Sequence, residues 1–352
     1  MGQAAATLKL GNLEVLVQSA RAGVEAQLTN RLGEFISGTR RTLDGAIYDL
    51  RSDAVLADLQ ALVRRGQKLR LAVDGGPQRT GAQNGADPKP SGMQTQLGAH
   101  GLTRSVRLIP EAGKHLMHHK FLVRDGEWLW TGSANFTQGG LELQDNNCLI
   151  VHSAQLAERY QAVFDVLWRR GNKPVPSPSS SLAVDGIRFW PLFEPGTDVE
   201  HIESLLVPYL NHANAVRVLA FEMTDPGILA ALQRFKGSGS DIRGVLDGFA
   251  YSATLAKTVA KQPELFWFLK DKRFVRAPSH PFTKGREQDF MHNKTLILDG
   301  TTVITGSYNL SEHAETNAEN MLVIESAQIA RFYLDYFDGL FAKYQKRQAA
   351  SI

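Results

Sequence analysis

The sequence has a single cysteine, Cys148, so neither an internal disulfide framework nor a cysteine-rich zinc site is open to it. Long hydrophobic runs are missing as well: stretches such as Leu265 to Leu269 fall far short of the roughly 20 apolar residues that a membrane-spanning helix needs. Met1 to Val15 lack the basic start and long apolar stretch of a secretory signal. Ala6 stands where a myristoylation signal wants Ser or Thr. Neither sign of charge dominates: 39 Lys and Arg against 36 Asp and Glu leave +3, which by itself argues for no nucleic-acid partner. The expectation is a globular, cytoplasmic chain without stable membrane insertion. Its 352 residues, 43% of them hydrophobic, are enough for two domains that each bury a core.

The chain is written twice. Residues 146–168, NNCLIVHSAQLAERYQAVFDVLW, match 319–341, ENMLVIESAQIARFYLDYFDGLF. Residues 118–135, HHKFLVRDGEWLWTGSAN, match 292–309, HNKTLILDGTTVITGSYN, at a separation longer by one residue, so a one-residue gap lies between the blocks. Upstream, 44–76 and 215–249 each read as strand, helix, strand and end around Asp74-Gly75 and Asp247-Gly248. Strands alternating with helices indicate an α/β layer architecture. The Pro- and Ser-rich GNKPVPSPSSS (171–181) marks a linker. The expected plan is a first half over 1–170, a linker over 171–186 and a second half over 187–352.

The repeat preserves His-x-Lys-x4-Asp-x6-Gly-Ser-x-Asn: His118, Lys120, Asp125, Gly132, Ser133 and Asn135, then His292, Lys294, Asp299, Gly306, Ser307 and Asn309. Asp-Gly between β-branched and aromatic runs favours a two-residue hairpin turn. Such a turn sets His118 opposite Ser133, Lys120 opposite Thr131, His292 opposite Ser307 and Lys294 opposite Thr305. Each hairpin then presents His, Lys, Ser and Asn as one polar cluster, while Asp125 and Asp299 build the turns. His115, His118 and His119 do not make a metal site, because strand alternation turns His119 away from His118. Asp74 and Asp247, at strand ends, are expected to cap turns or helices.

These paired motifs resemble the phospholipase D superfamily, and MHHKFLV…TGSANFT and MHNKTLI…TGSYNLS are similar to its bacterial nuclease members. The resemblance covers about residues 40–170 and 199–345. It implies an α/β fold of two tandem halves, each a mixed β-sheet flanked by helices, packed about a pseudo-twofold axis. It also implies metal-independent, cofactor-free phosphodiester cleavage, with both motifs in one interfacial site and hence a monomer. One imidazole attacks phosphorus and the other protonates the leaving oxygen; family precedent gives these roles to His118 and His292. Lys120 and Lys294 hold the non-bridging oxygens, with Asn135, Asn309, Ser133 and Ser307 as neutral donors. A carboxylate after each Gly-Ser-x-Asn is expected to orient an imidazole. Glu319 fills that place for His292. Its first-half counterpart is Asp145 if the motif register is kept, or Asn146 if the gap falls earlier. Asp145 is preferred here, because an acidic partner both orients an imidazole and stabilises its charged form.

A nuclease acting on DNA or RNA is the favoured reading. Arg104, Arg107, Lys114, Lys270, Lys272, Arg273, Arg276, Lys284 and Arg286 precede the motifs and could track a phosphate backbone, with Lys114, Lys284 and Arg286 the nearest substrate-binding candidates. Phe266, Trp267 and Phe268 could stack on bases, unless 264–274 is an amphipathic helix facing a core. The alternative is a phospholipase D or phosphatidyl transferase acting on phospholipid headgroups. Such an enzyme needs apolar surface to meet a bilayer, whereas the loop 75–101 is polar and Gly-rich. A catalytically inactive phosphate-binding scaffold is the third reading, opposed by the completeness of both motifs.

Overall fold

Runs of Val, Ile and Leu gather into two eight-stranded mixed sheets. The computed structural model describes residues 5–77, 92–111, 115–175, 177–195, 201–237, 239–257, 263–281, 283 and 286–350. The first sheet contains β1 (Thr7–Leu10), β2 (Leu13–Gln18), β3 (Thr42–Ile47), β4 (Lys68–Pro77), β5 (Val106–Glu111), β6 (Lys120–Arg124), β7 (Trp128–Gly132) and β8 (Asn146–His152). The second contains β9 (Leu182–Val184), β10 (Ile187–Glu194), β11 (Ala215–Ala220), β12 (Asp241–Asp247), β13 (Phe274–Ala277), β14 (Lys294–Leu298), β15 (Thr302–Gly306) and β16 (Glu319–Glu325).

Read from the parallel edge, the orders are β5-β4-β3-β6-β7-β8-β2-β1 and β13-β12-β11-β14-β15-β16-β10-β9, the same topology twice. The duplication therefore reaches further than the sequence match. The first few dozen residues supply β1 and β2, the counterparts of β9 and β10, and β9 lies inside the expected linker. These outer pairs are poorly legible because β1 and β9 are half-buried edge strands, where packing constrains residue choice weakly.

The helices are α1 (Leu28–Ser37), α2 (Asp53–Arg64), α3 (Gly92–Ala99), α4 (Ala154–Arg170), α5 (Ile202–His212), α6 (Pro226–Leu232), α7 (Gly248–Lys257) and α8 (Ala327–Ala350). Ser52, Ser153 and Asp225 cap α2, α4 and α6 by accepting from the N–H of Val55, Leu156 and Ile228. Helices α4 and α8 share one core with the inner faces of both sheets, through Phe121, Tyr160, Phe164, Phe189, Tyr333 and Phe337. Full burial of each such side chain contributes about 1.5–3 kcal/mol to folding. Helices α1 and α2 cover the outer face of the first sheet, and α5 and α6 that of the second. No helix among the described residues is long and apolar enough to cross a membrane.

The motif hairpins differ from expectation by one residue of register. Arg124 pairs with Trp128 and Leu298 with Thr302, so each loop holds three residues rather than two. Asp125 and Gly126 (φ 56° and 73°), like Asp299 and Gly300 (53° and 65°), are left-handed. The turn is closed by Glu127 N–H donating to Arg124 O at 3.1 Å, and a third residue precedes the ladder. Thr305 consequently faces Thr295 instead of Lys294. Asp125 also accepts from the N–H of Arg40, Arg41 and Thr42, and Asp299 from Asn214 and Ala215, stapling each turn to the start of β3 or β11. Gly132 and Gly306 are fixed by close approach: a Cβ on either would lie 2.2 Å from the carbonyl oxygen of Asn147 or Asn320.

Candidate active site

The halves meet along two matching seams. Met117 bridges to Ala318 and Asp145 to Met291, both parallel. His118 N–H donates to Ala318 O, and His292 N–H to Asp145 O, each at 2.9 Å. Each histidine is thus hung on main chain from the opposite half. Behind them, Asp74 and Asp247 accept from the N–H of Met117 and Met291 at 2.8 and 2.9 Å. Asp247 also accepts from the N–H of Phe249 and Ala250 in the first turn of α7, as expected of a cap, whereas Asp74 accepts from Gly76 N–H within β4 itself.

Both histidines line one cleft of about 370 Å³, together with Asn135, Asn309, Tyr48 and Phe221. The Oδ1 atoms of Asn135 and Asn309 are buried without a hydrogen-bond partner among the described residues. Lys120 and Lys294 are fully buried, their Nζ donating to the carbonyls of His118 and His292 at 2.6 and 2.7 Å. Tyr48 stands edge-on to His118 with centroids 4.7 Å apart, and Phe221 lies 5.3 Å from His292. The lysine Nζ atoms sit 5.0 and 5.3 Å from those same two rings. Sequence reading passed over Tyr48 and Phe221. The available signal was their matched position, each followed by an acid, at the end of the first parallel strand of each half.

The orienting residues need two corrections. Glu319 holds His118, with Oε1 2.7 Å from Nδ1, and not His292. His292 Nδ1 instead faces Asn146 Oδ1 at 3.2 Å. Asp145 is turned away: its buried carboxyl accepts from Ser19, Tyr344 and Arg21 at 2.6, 2.5 and 3.4 Å. The physical reason lies in the connection before β8. A π-turn over Gly139–Leu143, closed by Gln144 N–H donating to Gly139 O, absorbs the extra residue, where the second half has a 3₁₀ turn over Glu312–Thr316. The gap therefore falls early and Asn146 is the counterpart of Glu319.

Other expected residues divide. Ser133 and Ser307 donate to Asn146 Oδ1 and Glu319 Oε2 at 2.7 and 2.6 Å, so they steady the orienting groups instead of facing substrate. His119 points away from the cleft to Asn320, 3.1 Å off. Arg286 is exposed and outside the cleft lining. Lys114, Lys284 and most of the 75–101 loop lie outside the described residues. Phe266 and Phe268 are core residues and unable to stack on bases, and 264–274 forms a 3₁₀ turn leading to β13 rather than an amphipathic helix. Arg273 is taken up by Asp271 at 2.7 Å.

Burial dominates the electrostatics. It drives His118 and His292 well below the ordinary imidazole value, and the lysine charges push them further. It takes Lys120 down to about 7 and Lys294 well below its usual range. It lifts Glu319 to about 7. The arrangement favours neutral imidazoles beside cations that an incoming phosphodiester anion would stabilise. Because kcat/KM reports the free enzyme, activity is expected to peak near 7, declining at higher pH as Lys120 loses its proton and at lower pH as the Glu319 carboxylate that holds His118 gains one. A pH profile of kcat/KM checks this; an alkaline limb near 10 would mean that Lys120 keeps its charge.

Comparison with known proteins follows the same duplication. The family model described as cardiolipin synthase, phospholipase D-like domain, matches residues 32–168 and 206–341. A mitochondrial cardiolipin hydrolase of Xenopus laevis is 29% identical over 139 residues, 40% of this chain and 60% of that protein. A phospholipase D of Rickettsia conorii is 31% identical over 121 residues, 34% of this chain and 54% of that protein. The matched segments thus span little more than half of these relatives. Phosphatidylserine synthase of Haemophilus influenzae superposes over 99% of this chain and 88% of its own, with TM-score 0.65 and 12% identity, a likeness of fold.

Proposed function

The chain belongs to the phospholipase D-like family, and on that premise we propose that it is a metal-independent phosphodiesterase working through a phosphohistidine, with nucleic acid as substrate. The observation that carries the chemistry is the joining of both imidazoles in one cleft, each with a buried lysine Nζ on its own carbonyl. With Nδ1 held by Glu319, His118 directs its Nε2 lone pair at phosphorus. The bound diester anion offsets the lysine charges and lets His292 take up a proton from solvent; the Nε2–P bond then forms as the P–O bond to the leaving group breaks, and His292 gives that oxygen the proton. His292 then takes a proton from water, whose oxygen displaces His118 from phosphorus. Lys120 and Lys294 stabilise the non-bridging oxygens, with Asn135 and Asn309 as cleft-lining donors. The first-half histidine thereby has the carboxylate, which supports the phosphoimidazolium of the intermediate. His292, beside neutral Asn146, is left the readier acid.

Nucleic acid is favoured because large apolar side chains, which a bilayer would need, are sparse on the described surface, Leu143 being the exposed one. A phospholipid headgroup is the second reading. Asp49, Glu222 and Glu287 join Tyr48, Phe221 and Phe290 in the cleft lining, and carboxylates beside aromatic faces suit a cationic headgroup.

Labelled DNA, RNA and phosphatidylcholine vesicles incubated with the protein in EDTA separate these readings. EDTA-resistant nucleic-acid cleavage, lost in His292→Ala, is expected. Choline release with intact nucleic acid would establish the second reading, and no turnover of any substrate would leave a phosphate-binding scaffold.

A further inference from the structure

Away from the cleft, a groove of about 1060 Å³ runs along β13 and the last turns of α8. Among the described residues β13 pairs with β12 alone, so it is the edge strand of its sheet. Lys270, Lys272, Arg276 and Arg347 line the groove, the first three exposed. The acid on the same wall, Asp271, is engaged by Arg273 at 2.7 Å. Tyr251 offers an aromatic face beneath the Arg276 guanidinium, 4.9 Å from the ring centroid, and its hydroxyl is anchored on Leu269 O. At one end, Ser279 Oγ donates to Asp247 Oδ1 at 3.0 Å, while Asp247 Oδ2 accepts from Met291 N–H beside His292. One aspartate thus links the end of the groove to the cleft.

We propose that this groove is a second binding site, for the phosphate backbone and bases of a single-stranded nucleic acid, so that strand binding and cleavage reside at separate places; this rests on the nucleic-acid reading above. A row of cations beside an aromatic plane is the combination that holds single strands without sequence preference. Arg51 in the cleft lining is already paired with Asp49 at 2.7 Å and Glu287 at 3.8 Å, whereas the groove offers exposed cations to a polyanion. With Phe266 and Phe268 buried and Arg276 lying over the Tyr251 ring, a base would stack on that guanidinium plane.

The test joins Lys270→Gln, Lys272→Gln and Arg276→Gln in the full chain. Binding of a labelled oligonucleotide of about 20 nucleotides is followed against salt in a His118→Asn background, and turnover of bis(p-nitrophenyl) phosphate without that change. The expected result is affinity weaker by about 10-fold or more and a log K against log salt slope shallower by about 2. Turnover of the small diester persists. A charge-keeping variant, Lys270→Arg and Lys272→Arg, retains affinity and shows that the fold is intact. Unchanged affinity and slope would overturn the proposal, as would polyglutamate competing as well as the oligonucleotide. Should the unaltered chain turn over no phosphodiester while the slope still falls, the reading of the cleft fails and the groove stands.

Discussion

His118→Ala is expected to lower phosphodiester turnover by about 10⁴-fold or more, the scale seen when a covalent nucleophile is removed. The loss belongs mainly to kcat, since the lysines and asparagines that receive the phosphate remain. His292→Ala supplies the complementary result. With a good leaving group such as p-nitrophenolate, departure needs no proton, so attack by His118 proceeds. The water that should release the phosphoryl group then lacks its base. A burst of one p-nitrophenolate per chain is expected, with acid-labile phosphate mapping to His118. Phosphate on His292 would reverse the two roles while preserving the shared cleft.

The sequence made the paired motifs readable and hid much of their geometry. Both His-x-Lys pairs were visible because the same spacing recurs in each copy, and the doubled strand–helix pattern was enough for the α/β halves. Two things were beyond it. Identical motifs carry no mark of which half they face, so the exchange that gives Glu319 to His118 cannot be read from either copy alone. The π-turn at Gly139–Leu143 is likewise silent in composition, yet it moves the alignment by one residue and exchanges Asp145 for Asn146. The slipped hairpin register has a related cause. Asp-Gly announces a left-handed pair, but not the third loop residue that follows it.

That asymmetry between Glu319 and Asn146 leads to the second large effect. Glu319→Gln is expected to slow phosphoenzyme formation by about 10⁴-fold, comparable with replacing a buried carboxylate that holds a catalytic imidazole by its amide. Two losses combine. A glutamine amide can donate to Nδ1 and so favour the tautomer whose Nε2 carries a proton and cannot attack. The phosphoimidazolium would also lose its buried counter-charge. Ser307, which donates to Glu319 Oε2, can retain a partner in the glutamine oxygen, so the fold should survive. Asn146→Asp makes the opposite change beside His292: a new carboxylate stabilises the imidazolium and weakens it as an acid. Its expected effect is smaller, within about 10-fold on leaving-group departure, and it should shrink further with p-nitrophenolate. Rapid-quench measurement of phosphoenzyme formation in both variants decides the matter. Similar losses in the two, or a larger one for Asn146→Asp, would contradict an attack led by His118. A much larger loss for Glu319→Gln, insensitive to the leaving group, is what the 2.7 Å contact between Glu319 and His118 requires.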